Sequence, residues 1–206
     1  MSAARSAVTN RTAGGCARFG ARGAATAPVP TPLTTARKVS AKRGDTMAEQ
    51  ELKTLVAQGL QALKAGGEVA KKATAEIQSD ASHPELQAAL QQGNKTSEQW
   101  AQRVEKALGE TGGAEDTGNP VLEAHYEVSR RIRQKAPDAM TRDLGIIAAS
   151  QLALHYWIAA FGTLGNYAAK LGLAETERNM RTSLDEAKQA DQQHTALAEK
   201  MLAQGG

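Results

Sequence analysis

The residues whose types and spacing could do chemistry are few. Asp191 and His194 form an Asp-x-x-His pair at helical spacing, and His155 lies upstream of them. Carboxylate and imidazole together are the donors that hold iron, manganese or zinc. These three residues are therefore candidate ligands for one divalent cation. The competing reading is a buried polar pair closed by a hydrogen bond, because two or three ligands from one or two helices hold a metal poorly. Glu123 and Glu127 are four apart and share a helix face that His125 does not; such a pattern reads as a solvated face. Arg130, Arg131 and Arg133 follow, placed to pair with those glutamates or with Glu115 and Asp116 for little gain in stability. Cys16 is the single cysteine and has no matched histidine. That excludes an intrachain disulfide, a multi-cysteine metal site and a cysteine nucleophile. With no Ser/His/Asp arrangement and no facing pair of carboxylates, the sequence carries no positive sign of catalysis.

The elements that must position these residues read as helix after helix. Apolar and small residues recur at 3–4 spacing over roughly 48–78, with Leu52, Leu55, Val56, Gly59, Leu63, Gly66, Ala70, Ala73 and Ile77 on one face. A turn at 79–83 leads to Pro84, at a helix N1 position where its missing N–H costs nothing. A second helix spans roughly 84–110, with Leu86, Leu90, Gly93, Ser97, Trp100, Val104 and Leu108 as its inner line. A short third helix starts at Pro120, carries Val121, Leu122, Tyr126 and Ile132, and ends before Pro137. A fourth spans roughly 138–171, with Ile147, Gln151, Leu154, Ile158, Phe161 and Ala168 inward and Gly172 as its stop. A fifth spans roughly 174–203, carrying Met180, Leu184, Ala187, Asp191, His194 and Met201. The short links predict two antiparallel hairpins, and the helix-containing link predicts a crossover between them. The expected fold is all-α: four long helices in a bundle, with a short extra helix in the crossover.

Composition agrees. Of 206 residues, 40 are alanine and only 7 aromatic, which disfavours a β-sandwich and suits closely packed helices. No run approaches a stretch of about 18 consecutive apolar residues, so no membrane span is expected. The net charge of +3 has two parts. Residues 1–46 carry eight Arg or Lys against one acid, net +7; residues 47–206 are net −4. The pI near 9.0 thus describes the tail, and the body offers no nucleic-acid surface. The tail is Arg-rich, contains Ala27-Pro28-Val29-Pro30-Thr31-Pro32 and lacks apolar periodicity, so it is expected to be disordered. It reads as a transit segment, a basic arm for nucleic acid, or an upstream extension before a start at Met47.

Specific motifs add a resemblance. The fourth helix contains Ile147-Ala148-Ala149-Ser150-Gln151 and His155-Tyr156-Trp157-Ile158-Ala159-Ala160-Phe161-Gly162-Thr163-Leu164. The fifth contains Leu184-Asp185-Glu186-Ala187-Lys188-Gln189-Ala190-Asp191, and the second begins Pro84-Glu85-Leu86-Gln87-Ala88-Ala89. Together they resemble, in order over residues ~50–203, the bacterial ferritin-like family that includes YciE and YciF. The resemblance implies a ferritin-like bundle, a homodimer, a link to stress responses, the bacterial cytoplasm (an organelle if the tail is a transit segment) and a carboxylate-bridged dinuclear iron or manganese centre.

That centre requires Glu and His projecting inward from the four long helices. The family's ligand positions fall here at Gly59, at Gly93 and Thr96, at Leu154 and Trp157, and at Ala187, while its aspartate is kept as Asp191. Carboxylates are replaced by small residues on three helices and by bulk on the fourth. Such an exchange conserves volume, and it avoids burying carboxylates without a metal. The expectation is a degenerate site with Trp157 filling the old centre, no catalytic residues and no cofactor. The alternative is a metal site rebuilt around His155, Asp191 and His194. Trp100 and Trp157 could instead line a dimer interface.

Overall fold

Every helix but the second and the last opens on a cap from the residue just before it, and those two borrow one from another helix. The computed structural model describes residues 46–204, which belong to one compact unit. The expectations for residues 1–45 (disorder, targeting or a basic arm, and Cys16 with them) lie outside the described residues. The helices are α1 (Met47–Asp80), α2 (Pro84–Thr111), α3 (Pro120–Lys135), α4 (Ala139–Leu171) and α5 (Ala174–Gln204), with no strand among the described residues.

Thr46 accepts from Glu49 N–H while the Glu49 carboxylate accepts from Thr46 N–H, a reciprocal capping box. Thr46 is therefore the N-cap of α1, immediately before the helix begins at Met47. Asn119 and Asp138 cap α3 and α4 in the same local manner. His83 precedes α2 but gives no side-chain cap. Asp143 of α4 does that work: its buried carboxylate accepts from Ser82 N–H at 2.9 Å and from His83 N–H at 2.7 Å. Similarly, Glu110 of α2 accepts from both Thr176 N–H and the Thr176 hydroxyl at 2.7 Å in the first turn of α5.

α1 packs on α2 and α4, and α5 packs on the same two helices. Each of these neighbouring pairs is antiparallel. Lys64 meets Glu105 and Gln78 meets Asn94 across α1 and α2. Glu85 meets Lys200 and Trp100 meets Glu186 across α2 and α5. Gln151 reaches Thr195 across α4 and α5. It follows that α2 and α4 run the same way, and that α3, lying along α1 and α4, carries the chain back between them. This is the hairpin, crossover, hairpin order expected from link lengths. By length and composition α4 could also cross a membrane, with a mean hydropathy of 1.5; here it packs against α1, α3 and α5.

The core has two clusters. One holds Trp100, Trp157, Phe161, Leu60, Leu63, Val104 and Met180. The other holds Leu86, Leu90, Ile146, Ile147, Leu197 and Met201 at the opposite end. Both tryptophans are buried in the first cluster, which overturns the reading that they line a dimer interface. Their rings sit 5.9 Å apart, and Phe161 stacks on Trp157 at 5.5 Å. Close approach of α1 to this cluster depends on Gly66: a Cβ there would come within 2.7 Å of Leu122 and 3.3 Å of Trp157.

Candidate functional site

Between the two clusters lies a cavity of about 530 Å³, walled by all five helices. Trp100, Trp157 and Leu122 border it from one core, Leu90 and Ile77 from the other. Much of the remaining wall is alanine, including Ala70, Ala73, Ala149 and Ala153. Helices held at ordinary spacing by large residues above and below cannot close around such short side chains, and space remains. The cavity reaches solvent past Gly93, Gln189 and Gln193, which are exposed.

Polar groups on its wall mostly have partners. Glu186 accepts from Trp100 Nε1 at 2.8 Å and is held by a two-pronged ion pair with Arg103. The Arg103 hydrogen bonds, against burial that works the other way and with help from Trp100, hold its carboxyl below the usual range. His125 Nε2 lies 2.8 Å from the Ala149 carbonyl, so that nitrogen donates. His194 differs. Its Nδ1 lies 2.8 Å from the Ala190 carbonyl oxygen, which can only accept, so Nδ1 carries the proton. Nε2 is buried with no hydrogen-bond partner.

The sequence-derived ligand positions divide. Gly93, Thr96, Leu154 and Trp157 line the cavity. Gly59 and Ala187 do not. Gly59 packs under Leu164, about two turns from the level of Trp157, where α1 instead presents Gly66. Ala187 is fully buried in the aromatic cluster. Trp157 is buried as expected, but it does not fill the centre: it lies against Gly66, Trp100 and Phe161, and the cavity stays open beside it.

A carboxylate-bridged metal pair does not fit these residues. Among the described residues, no three His, Cys, Asp or Glu side chains gather so as to hold a metal ion. The rebuilt set does not assemble either. The His155 side chain is 66% exposed, with Nε2 3.4 Å from Asp191 Oδ1. Asp191 also accepts from Gln151, while His194 turns its Nδ1 to its own helix. The expected Asp191–His194 hydrogen bond is therefore replaced by two separate sets of partners, because four residues along one helix the imidazole reaches a backbone carbonyl first.

On α3, Glu127 pairs with Arg130 and Arg131, as its spacing predicted. Arg133 does not join them. It is buried, donates to Asp80 at 2.8 Å and to Ser129 at 2.9 Å, and lies 6.0 Å over the Tyr126 ring. Sequence reasoning also missed Glu186 on the cavity wall and Arg103, which holds it without lining the cavity itself. The available signal was Trp100 and Arg103, three apart and so on one face of α2, both polar-tipped.

Comparison with known proteins places this arrangement. The family described as "Domain of unknown function (DUF892)" matches residues 42–205. "Protein YciF" of Escherichia coli (strain K12) is 32% identical over 77 residues, which is 37% of this chain and 46% of YciF, so the matched stretch spans about half of that relative. Among solved structures, the E. coli stress protein YciF superposes with a TM-score of 0.70 at 21% identity, over 74% of this chain and 97% of that one. YcfI of Rhodopseudomonas palustris, proposed to be a structural protein, superposes with a TM-score of 0.67 at 21% identity, over 75% of this chain and 96% of that one. The chain shares their all-helical fold, and it belongs to the DUF892 family, the family of YciE and YciF.

Proposed function

We propose that this chain is a ferritin-like four-helix bundle of the YciE/YciF type whose dinuclear metal centre has been lost, and that it acts as a non-catalytic structural protein in stress responses of the bacterial cytoplasm. One observation carries the reading: the cavity wall includes Gly93, Thr96, Leu154 and Trp157, and its His125, Glu186 and His194 do not gather, so that no group of three metal-ligating side chains stands among the described residues. The stress and structural roles come from the names of YciF and YcfI. A homodimer is part of the same proposal, supported by the exposed apolar residues Val121, Val128 and Ile132, which fall on one face of α3.

Metal analysis tests this directly. The full chain, purified from cells grown with added iron and manganese, is expected to carry well under one metal per chain, and Fe²⁺ is expected to leave its melting temperature unchanged. Two iron or manganese per chain overturns the proposal in favour of the alternative with His155, Asp191 and His194 as ligands.

A further inference from the structure

On each of the four long helices the inward residues change from large to small and back. Ala73 on α1, Gly93 and Ser97 on α2, Ala153 on α4 and Ala190 on α5 all line the central cavity. Each lies between residues of the two core clusters on its own helix, as Gly93 and Ser97 lie between Leu90 and Trp100. One small residue in a core is compensated by a larger neighbour. The same interruption on four helices leaves about 530 Å³ open, within the ordinary range of small-molecule sites, roughly 300–1,000 Å³. The opening past Gly93, Gln189 and Gln193 gives access.

We propose that this cavity binds an uncharged, largely hydrocarbon molecule, held by apolar contact rather than by directed hydrogen bonds. Charge is excluded first. No Lys, Arg or Asp lines the cavity, so an anion finds no counter-charge. Its one carboxylate, Glu186, is already engaged by Arg103 and Trp100, so a cation gains little. Richly hydroxylated molecules are excluded next, because the wall's donors are spent within the protein. Trp100 Nε1 donates to Glu186 at 2.8 Å, the Thr74 hydroxyl to the Ala70 carbonyl at 2.7 Å, and the Thr96 hydroxyl to the Gln92 carbonyl at 3.1 Å. His125 Nε2 donates to the Ala149 carbonyl. Ser97 and Ser150 add hydroxyls, too few to replace the water around a sugar or a nucleotide. Gln92, Gln99, Gln189 and Gln193 are exposed, so their amides are hydrated already. What the wall offers is apolar surface, from Ile77, Leu90, Leu122 and Leu154 as well as the alanines and tryptophans. Hydrocarbon displaces water from such a wall at a gain. The proposal stands whether or not the protein has the structural role given above.

The test pairs N-phenyl-1-naphthylamine, which is uncharged, with 8-anilino-1-naphthalenesulfonate, which has the same rings and one sulfonate. Each is titrated into the full chain. Calorimetry gives the stoichiometry, and tryptophan emission reports the place, because the chain's two tryptophans both line the cavity. The amine is expected to bind one per chain, to quench that emission, and to bind at least about tenfold more tightly than the sulfonate. Gly93→Phe fills the cavity from α2, at a position where a Cβ meets nothing within 4 Å. It should keep the melting temperature and weaken the amine at least about tenfold. Ser97→Leu does the same from the next turn of α2, and serves if Gly93→Phe fails to fold. Leu152→Ala trims an exposed apolar side chain outside the cavity and should leave the affinity unchanged. Equal affinities for the two probes overturn the proposal without any variant. So do amine binding that survives both filling variants, a loss in Leu152→Ala as large as theirs, or no binding of the amine up to its solubility limit.

Discussion

Arg133 illustrates how burial changes the meaning of a residue. Its spacing on α3 matches that of Arg130 and Arg131, yet its side chain is 2% exposed while its partner Asp80 is 44% exposed. Glu76 joins them and accepts from the Tyr126 hydroxyl; that hydrogen bond, together with burial, holds the phenol above its usual value. The asymmetry predicts an order of stabilities. Removing both acids in an Asp80→Ala, Glu76→Ala chain strands a buried guanidinium and should cost about 3–5 kcal/mol. Arg133→Met removes the buried charge and leaves the acids within reach of water, so it should cost about 1 kcal/mol. Urea denaturation measures both; the reverse order would mean that Arg133 acts by packing alone.

The two borrowed caps make helices depend on one another. Asp143 and Glu110 satisfy N–H groups that α2 and α5 cannot satisfy locally. Asp143→Ala should therefore cost about 2 kcal/mol, although it touches no residue of the cavity. Glu110 also sets a pH limit. Burial tends to raise its carboxyl, but the bonds from Thr176 and from Glu175 N–H outweigh burial and hold it below the usual range; Glu186 is held low by Arg103. Groups depressed in the folded state contribute stability that is complete above their unfolded value and lost as pH falls through the folded one. Melting temperature should thus be flat above about pH 5 and fall below it, and Glu186→Gln should flatten part of that acid limb. An acid limb unchanged in Glu186→Gln would remove this ion pair as a contributor.

For the whole molecule, the open question is what α3 presents outward. Ile132 sits where a Gly145 Cβ would come within 2.6 Å of it, so α3 lies close on α4 with Val121 and Val128 facing out. If this stripe is the proposed dimer contact, light scattering should give twice the 21.7 kDa chain mass, and Val128→Glu should halve it. A native chain at single mass removes the dimer from the proposal. Leu152 on α4 is also exposed and stays as the control: Leu152→Glu should leave the mass unchanged.

Periodicity, prolines and the Gly172 stop determined the number, order and extents of the helices, because amphipathic spacing and caps are local properties of the chain. The link lengths determined the crossover for the same reason. Residue types at the matched motif positions were readable from the chain, but which of them share a level was not: Gly93, Thr96, Leu154 and Trp157 line the cavity while Gly59 and Ala187 do not, because spacing along one helix does not fix its height against another. What only the tertiary structure decided lies between helices. Asp143 and Glu110 act as caps some 60 residues from the helix starts they serve. Arg133 is buried, His194 keeps a buried Nε2 without a partner, and Trp157 leaves a cavity beside it rather than filling one. Each depends on which side chains of other helices arrive at the same height, and packing alone settles that.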